Sequence, residues 1–222
     1  MSIINKIINS IEHYIAINPD IKSFVYSDNT LYQEFDCNVK VNLTGTETQF
    51  IIQNNGLDIT STEYPNFLLY RYLEFNGDLR QIIDYDNLTG RVTINSPFGY
   101  AITTTDSLTV KIIDSIFIYE ANSFDDRHGT NIAQKSYIPI YFRVTTKEDI
   151  KAERNKTIID DIKSIFYSNN FNLKIYEDNT FTTYKSMTTI GNISFNTNMI
   201  DIKNNDYTSL NNILLSYYIT YK

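Results

Sequence analysis

The sequence predicts an α+β fold, in which a mixed α/β domain with two main helices packed on a largely antiparallel sheet is interrupted by an inserted all-β module. Three observations lead to this expectation. Two segments, one at the N-terminus and one after residue 146, repeat Ile at helical spacing. Residues 44–113 instead alternate short apolar runs with turn sequences. The composition, with 34 Ile, 18 Tyr and 13 Phe against 5 Ala, favours strands elsewhere, although A/T-rich codons would produce the same bias.

Length and composition exclude several classes of protein. The 222 residues, 42% of them hydrophobic, can bury the core of one large domain or two small ones. A single Cys makes neither an intrachain disulfide nor a Cys-rich zinc site. The net charge of −7 argues against a protein that holds nucleic acid through its phosphates. We also expect no membrane span and no secretion signal, since no apolar run reaches about 18 residues and no basic region precedes an apolar core.

The first predicted element is a helix with Ser2 as its N-cap. It should end before Pro19, because the residue before a proline disfavours helical backbone angles. His13 lies off the apolar stripe, so we expect an ordinary solvated side chain there. The stripe that marks the buried face consists of Ile4, Ile7, Ile8, Ile11 and Ile15.

Residues 35–43 are a predicted strand of the flanking domain. Apolar and polar residues alternate with a period of two, which marks a single buried face. Cys37 falls on the apolar side of this alternation. We therefore interpret it as a core residue, since no motif places a base beside it.

Residues 44–113 are the predicted inserted β-module. Residues 76–78 (Asn-Gly-Asp) and 87–90 (Asn-Leu-Thr-Gly) are tight-turn sequences between strand-like runs. One strand leads into this stretch and another leads out, as expected for an inserted domain. The predicted domains are thus an α/β domain of residues 1–43 and 114–222, and a β-module of residues 44–113.

The last third of the chain predicts a strand–helix–strand unit followed by antiparallel strands. Residues 137–144 alternate as a strand, and Thr146 with Asp149 makes a capping pair for the next helix. The helix is expected to bury Ile150, Ile158, Ile162, Ile165 and Phe166. Further strands are predicted at residues 171–177, 181–189, 193–202 and 213–221.

The search for catalytic motifs leads us to predict a protein that is not an enzyme and uses no cofactor or metal. The chain has no phosphate-binding loop, dinucleotide fingerprint, zinc-protease helix or nucleophile elbow. The cluster of residues best suited to chemistry consists of Asp125, Asp126, Arg127 and His128, which could bind a cation or move protons. We favour a role for it in contacting a neighbouring protein, because loops commonly carry interactions.

Residues 75–113 resemble a β-hairpin module that recurs in the tail, neck and fibre proteins of bacteriophages. The matching segments are an Arg-x-Ile strand (80–82), Tyr-Asp (85–86), a Thr-Gly turn (89–90), a Val-Thr-Ile strand (92–94), a Ser-Pro-Phe step (96–98) and an Asp before an apolar strand (106–110). The flanking helix and strand order resembles phage tail terminator proteins, whose ring completes the tail tube and joins it to the neck. Contractile tailocins carry the same part.

The resemblance implies a virion structural protein, assembled in the host cytoplasm and located in the tail or neck. It implies a homo-oligomer, most simply a hexameric ring, that contacts the tail tube, the sheath where one is present, and the neck or collar protein. DNA would pass without specific binding, with Asp125, Asp126, Arg127 and His128 in a loop at the lumen or an interface, and no membrane would be involved.

Three other possibilities stay open from the sequence. The first is a different neck protein, such as a connector or stopper. The second is a fibre-associated carbohydrate-binding module that uses exposed tyrosines among residues 64–85. The third is a glycan hydrolase, which rests only on acidic clusters such as Asp84 with Asp86.

Overall fold

The computed structural model describes residues 3–42, 48–104, 106–120, 124–126, 133–167, 172–176, 181, 184–188, 196–203 and 206–220. The chain divides into two compact units. The barrel unit comprises Lys22–Phe24 and Asp28–Asp114, and the sheet unit comprises Met1–Ile21, Val25–Ser27 and Ser115–Lys222. Among the described residues, no helix is both long enough and apolar enough to cross a membrane.

The elements of the first half of the chain are α1 (Ile3–Ala16), β1 (Phe24–Tyr26), β2 (Phe35–Asn42), β3 (Gln49–Asn54), β4 (Leu57–Asp58), β5 (Tyr72–Phe75), β6 (Asp78–Asp86), β7 (Arg91–Ile94) and β8 (Ser107–Lys111). Those of the second half are β9 (Asp114–Glu120), β10 (Phe124–Asp126), β11 (Ala133–Thr146), α2 (Glu153–Tyr167), β12 (Asn172–Tyr176), β13 (Tyr184–Thr188), β14 (Asn196–Lys203) and β15 (Asp206–Thr220). Short 3-10 turns occupy Asn29–Leu31 and Ile150–Ala152.

The barrel unit is a closed β-barrel of six antiparallel strands. The strand order is β2-β8-β5-β6-β7-β3, and β3 pairs back onto β2, so the sheet closes on itself. Strand β4 extends from the outer side of β3 through the pairs Gln53↔Asp58 and Asn54↔Leu57. Closure removes the unpaired sheet edges that otherwise invite aggregation.

The period-two pattern of the barrel strands fills its interior. In β7 and β8, every second residue is buried, namely Val92, Ile94, Leu108 and Val110. Cys37 is 1% exposed in the same core, which confirms its interpretation as a core residue. Burial, with the nearby charge of Asp36, raises the pKa of the Cys37 thiol to about 12, so the thiol stays protonated and unreactive.

The predicted α+β class was wrong. Strands hold 44% of the residues, a closed six-stranded barrel dominates one unit, and the described residues contain two α-helices. The physical reason lies in residues 35–42. Their alternation shows that one face of the strand is buried, but it does not show the partner, which proves to be β3 and β8 of the barrel. The sequence had assigned this strand to the flanking domain.

The sheet unit contains a larger open sheet and a small one. The larger sheet has the order β1-β9-β11-β15-β14, with β10 also beside β11, and β11 pairs with β15 from Ala133↔Thr220 to Thr146↔Tyr207. Strand β12 pairs with β13 in a separate two-stranded sheet. The predicted strand–helix–strand succession therefore exists along the chain, but its second strand does not join the sheet of the first.

Ile residues of both predicted stripes are buried, although Ile150 lies in the 3-10 turn before α2 and not in the helix itself. Ile7, Ile11 and Ile15 of α1 have no exposed surface, which confirms three members of the first stripe. In α2 the buried apolar residues include Ile158, Ile162, Ile165 and Phe166. They share one core with β9, β11 and β15 residues such as Ile116, Phe142 and Ile213. Ser2 lies outside the described residues.

A fully buried arginine, Arg71, organises the barrel unit. Its guanidinium lies 4.1 Å from the ring centroid of Phe24 and 4.5 Å from that of Phe67. It donates to the carbonyl oxygens of Gln33 at 2.7 Å and Leu31 at 2.6 Å. A buried charge requires such hydrogen bonds, so Arg71 fixes the segment that leads into β2.

The start of α2 depends on Asp149, in agreement with the predicted capping pair. Thr146 Oγ1 donates to Asp149 Oδ2 at 2.9 Å, and the backbone N–H groups of Arg154 and Asn155 donate to the same carboxylate at 3.1 and 2.9 Å. Burial alone would raise the pKa of Asp149, but the hydrogen bonds from Asn155, Arg154 and Thr146 outweigh it and lower that pKa. Asp149 is 2% exposed, so these donors must be satisfied within the protein.

The buried Asn155 continues this network from α2 to the sheet. Its Nδ2 donates to the carbonyl oxygens of Val144 at 3.1 Å and Tyr207 at 3.3 Å. Its Oδ1 accepts from Ser209 Oγ at 2.7 Å. Asn155 thereby joins the helix to both β11 and β15 through groups that all lie within the sheet unit.

We predict that Arg71→Leu lowers the free energy of unfolding by about 2–4 kcal/mol, because two buried carbonyl oxygens lose their donor. Urea denaturation followed by tyrosine fluorescence measures the change. Arg91→Leu is the matched control, since the Arg91 side chain is 41% exposed and its 3.9 Å pair with Asp84 should contribute less than about 1 kcal/mol. Equal effects of the two substitutions would contradict the role of Arg71.

We predict that Asp149→Ala destabilises the protein by about 1–2 kcal/mol at pH 7, as expected for loss of an N-terminal helix cap. The pKa of Asp149 is lower in the folded than in the unfolded state, so its stabilisation is complete above the unfolded pKa and is lost as pH falls through the folded value. The difference from the wild type should shrink in urea denaturation below about pH 4. Asp160→Ala, on the exposed face of α2, is the control. A difference independent of pH would contradict this prediction.

Candidate functional site

The loop between β7 and β8 covers one end of the barrel. It begins after Ile94 and ends before Ser107, at the end where the β5–β6 turn also lies. That turn is Asn76–Gly77, with φ angles of 51° and 84°. Two positive φ values suit the twist of a two-residue hairpin, and an Asn-Gly pair adopts them readily, as the sequence predicted. The turn places Asp78 at the start of β6, beside the loop.

Asp78 and Arg80 hold the loop in place. The backbone N–H of Gly99 donates to Asp78 Oδ2 at 3.0 Å, and Arg80 Nε donates to the Pro97 carbonyl at 2.8 Å. Arg80 also pairs with Asp78 at 3.4 Å. A Cβ on residue 99 would lie 3.1 Å from Asp78 Oδ2, so glycine suits this close approach. The loop is therefore attached to β6 at two residues, Pro97 and Gly99.

A cavity of about 270 Å³ lies under this loop. The lining residues that the structure describes are uncharged and combine buried rings with an amide and an exposed phenol: Asn42, Phe50, Phe98, Gly99, Tyr100, Ala101 and Ile102. Phe50, Phe98 and Ile102 are buried, whereas Tyr100 is 59% exposed. The cavity is thus lined by buried apolar residues and by one well-exposed aromatic ring.

Two contacts fix the orientation of the cavity walls. Asn42 Nδ2 donates to the Ile102 carbonyl at 3.1 Å, which orients the amide. The Phe98 ring packs edge-on against Phe75, with centroids 5.8 Å apart at 78°, and lies 5.6 Å from the Arg80 guanidinium. These walls are held by the fold itself, which is the property that distinguishes a binding site from a loose surface loop.

The cluster singled out from the sequence lies elsewhere, in the sheet unit. Asp125 and Asp126 are in β10 and pair in register with Ser136 and Lys135 of β11. Arg127 and His128 lie outside the described residues. The role of this cluster at a lumen or an interface stays a prediction. Among the residues that the structure describes, no group of three His, Cys, Asp or Glu side chains is arranged to hold a metal ion.

The tyrosines proposed for carbohydrate contact do not form an exposed face. Tyr64, Tyr70, Tyr72 and Tyr85 are all partly buried. Tyr85 donates its hydroxyl to the Ile59 carbonyl at 2.9 Å, and burial raises its pKa. Tyr64 donates to Asp28 Oδ2 at 3.2 Å. The exposed aromatic residue of this unit next to a cavity is instead Tyr100, which no motif marks in the sequence.

His13 is not the solvated side chain that the sequence predicts. Its ring stacks on Phe181, with centroids 3.8 Å apart and planes 4° apart, and meets Tyr176 edge-on at 5.3 Å. Its Nδ1 is buried and has no hydrogen-bond partner among the described residues. Burial lowers the pKa of His13 to about 4. The ring therefore acts as a neutral part of an aromatic cluster, whose other members lie too far along the chain for helix periodicity to show them.

We predict that NMR titration gives His13 a pKa near 4. The unfolded chain, with an ordinary pKa of about 6.5, binds this proton first, so stability should fall as pH decreases from about 6.5 towards 4. His13→Phe removes this component of the pH dependence while keeping a ring against Phe181. His128→Gln assigns the two histidine signals. A His13 pKa above about 6 would contradict the buried environment.

Comparisons of the chain with protein-family models, with curated proteins and with solved structures found no match. The residues and geometry of the chain itself are therefore the basis for its proposed function.

Proposed function

We propose that this chain is a structural protein of a phage tail or contractile tailocin, which forms a ring at the end of the tail tube and connects the tube to the neck. The alternative within the same class is a neck connector or stopper. The observation that supports the proposal is the resemblance of residues 75–113 to the phage β-hairpin module. In the structure this stretch contains β6, β7 and β8, which are half of the closed barrel.

The residues of the resemblance specify the barrel structure. Asp86 Oδ1 accepts the backbone N–H groups of Leu88 at 3.0 Å and Thr89 at 3.3 Å, which closes the β6–β7 turn. Gly90 has a φ of 71°, and a Cβ there would lie 3.0 Å from the Ile59 carbonyl oxygen. Asp86 and Gly90 therefore have a structural role in the barrel, which is consistent with a module of an assembly protein.

Exposed leucines at the other end of the barrel support an assembly role. Leu57, at the start of β4, is 75% exposed, and Leu88, in the β6–β7 turn, is 70% exposed. Both turns lie opposite the β7–β8 loop, because β3 runs towards this end and β7 starts from it. A subunit interface that covers this end of the barrel would bury both leucine side chains.

The charge of the chain is consistent with a part that DNA passes. A net charge of −7 provides no general attraction for phosphate groups. The α+β layout no longer supports a tail terminator, since that class was wrong. The choice between a ring at the tube end and a neck connector therefore depends on which partner the ring binds.

We predict that the full chain forms a ring, most simply of six subunits, that associates with the tail tube protein encoded near it. Native mass spectrometry and negative-stain electron microscopy, with the chain alone and with tube or neck protein, test this prediction. Leu57→Asp with Leu88→Asp should weaken assembly by about tenfold or more, because each adds a charge to an apolar contact.

Tyr167→Ser is the matched control, since Tyr167 is 52% exposed on α2, outside the barrel unit. A ring that binds the neck protein and not the tube would favour the connector alternative. A strict monomer that binds neither protein would overturn the proposal.

A further inference from the structure

The cavity under the β7–β8 loop has the size of a small binding site. Its volume of about 270 Å³ lies just below the range of roughly 300–1,000 Å³ for pockets that hold drug-sized ligands. Such a volume accommodates a single six-membered ring with its substituents. The cavity is not enclosed, and Tyr100 in its lining is 59% exposed, so the bound ring could belong to a longer chain that continues into solvent.

The lining selects a neutral and amphipathic ligand. None of the seven lining residues that the structure describes carries a formal charge, so among them an anionic or cationic ligand would find no counter-charge. Tyr100 is the exposed ring of this lining, Phe50 and Phe98 lie buried behind it, and the Asn42 amide offers a polar group. A pyranose has this same division, with C–H groups on its faces and hydroxyl groups around its rim.

Tyr100 provides the aromatic surface at the mouth of the cavity. It is 59% exposed, although the loop around it is held by Asp78 at Gly99 and by Arg80 at Pro97. The backbone on one side of the exposed ring is thus fixed by the barrel, which lowers the entropic cost of binding. An aromatic ring with a polar tip suits a ligand that has both C–H faces and hydroxyl groups.

We propose that this cavity binds one neutral pyranose residue of a glycan, with Tyr100 packed against the sugar face and Asn42 bonded to a sugar hydroxyl. The site goes beyond the assembly role and does not depend on it. It also differs in location from the tyrosines of residues 64–85, which are partly buried.

Saturation-transfer NMR on the full chain tests the proposal, with the methyl glycosides of glucose, galactose, mannose and N-acetylglucosamine as probes. At least one should bind with a Kd on the order of 1 mM, as expected for a single small ring. Tyr100→Ala should weaken binding by about tenfold, and Tyr100→Phe should retain most of it, because the ring face provides the contact. Ala101→Trp should abolish binding by filling the mouth.

Tyr167→Ala is the control for loss of an exposed tyrosine and should leave binding unchanged. Thermal unfolding checks that each variant is folded, and the pair Tyr100→Ala and Tyr100→Phe decides the question if Ala101→Trp does not fold. The proposal is overturned if no neutral glycoside binds at about 10 mM, a concentration well above the expected Kd. It is also overturned if the Kd is unchanged by Tyr100→Ala, or if that substitution changes only the oligomeric state. The ring size measured by native mass spectrometry tests the assembly role separately.

Discussion

The burial of one positive charge, on Arg71, is the constraint on which the barrel unit depends. Its guanidinium binds the carbonyl oxygens of Leu31 and Gln33, and Phe24 and Phe67 cover its faces. Its own carbonyl oxygen accepts from the Ile82 backbone N–H at 2.8 Å. One residue thus joins the chain that leads into β2 to the middle of β6. Since β2 closes the barrel through its pairs with β3 and β8, Arg71 holds the segment from which the closing strand begins.

Because β2 closes the barrel, the parts of this unit that can bind a partner lie at its two ends. The strands have no free edge within the six-membered ring of pairings, so a partner cannot add a strand to it. The barrel instead exposes its turns and loops. Leu57, at the start of β4, and Leu88, in the β6–β7 turn, lie at one end, and the cavity under the β7–β8 loop lies at the other. The cavity exists because Asp78 and Arg80 hold a loop across the barrel, which again depends on the register of β6.

Local patterns predicted local structure well and long-range pairing poorly. Three local features could be predicted because each depends on residues close in sequence. They are the Ile spacing in α1, the Asn76–Gly77 turn and the Thr146–Asp149 pair. The partners of each strand could not be predicted, since an alternation of apolar and polar residues identifies a buried face but not the element that covers it. The cavity around Tyr100 was missed for the same reason: Asn42 and Phe50 join its lining only through the pairing of β2 and β3.

The chain leaves and re-enters the sheet unit on neighbouring strands. Strand β1 precedes most of the barrel unit and β9 follows it, and the two are adjacent in the larger sheet. Each unit also has its own hydrophobic core. A stretch that leaves one sheet and returns to it at adjacent strands, with a core of its own, has the form of an inserted domain. The barrel can therefore have an evolutionary history separate from that of the sheet that flanks it.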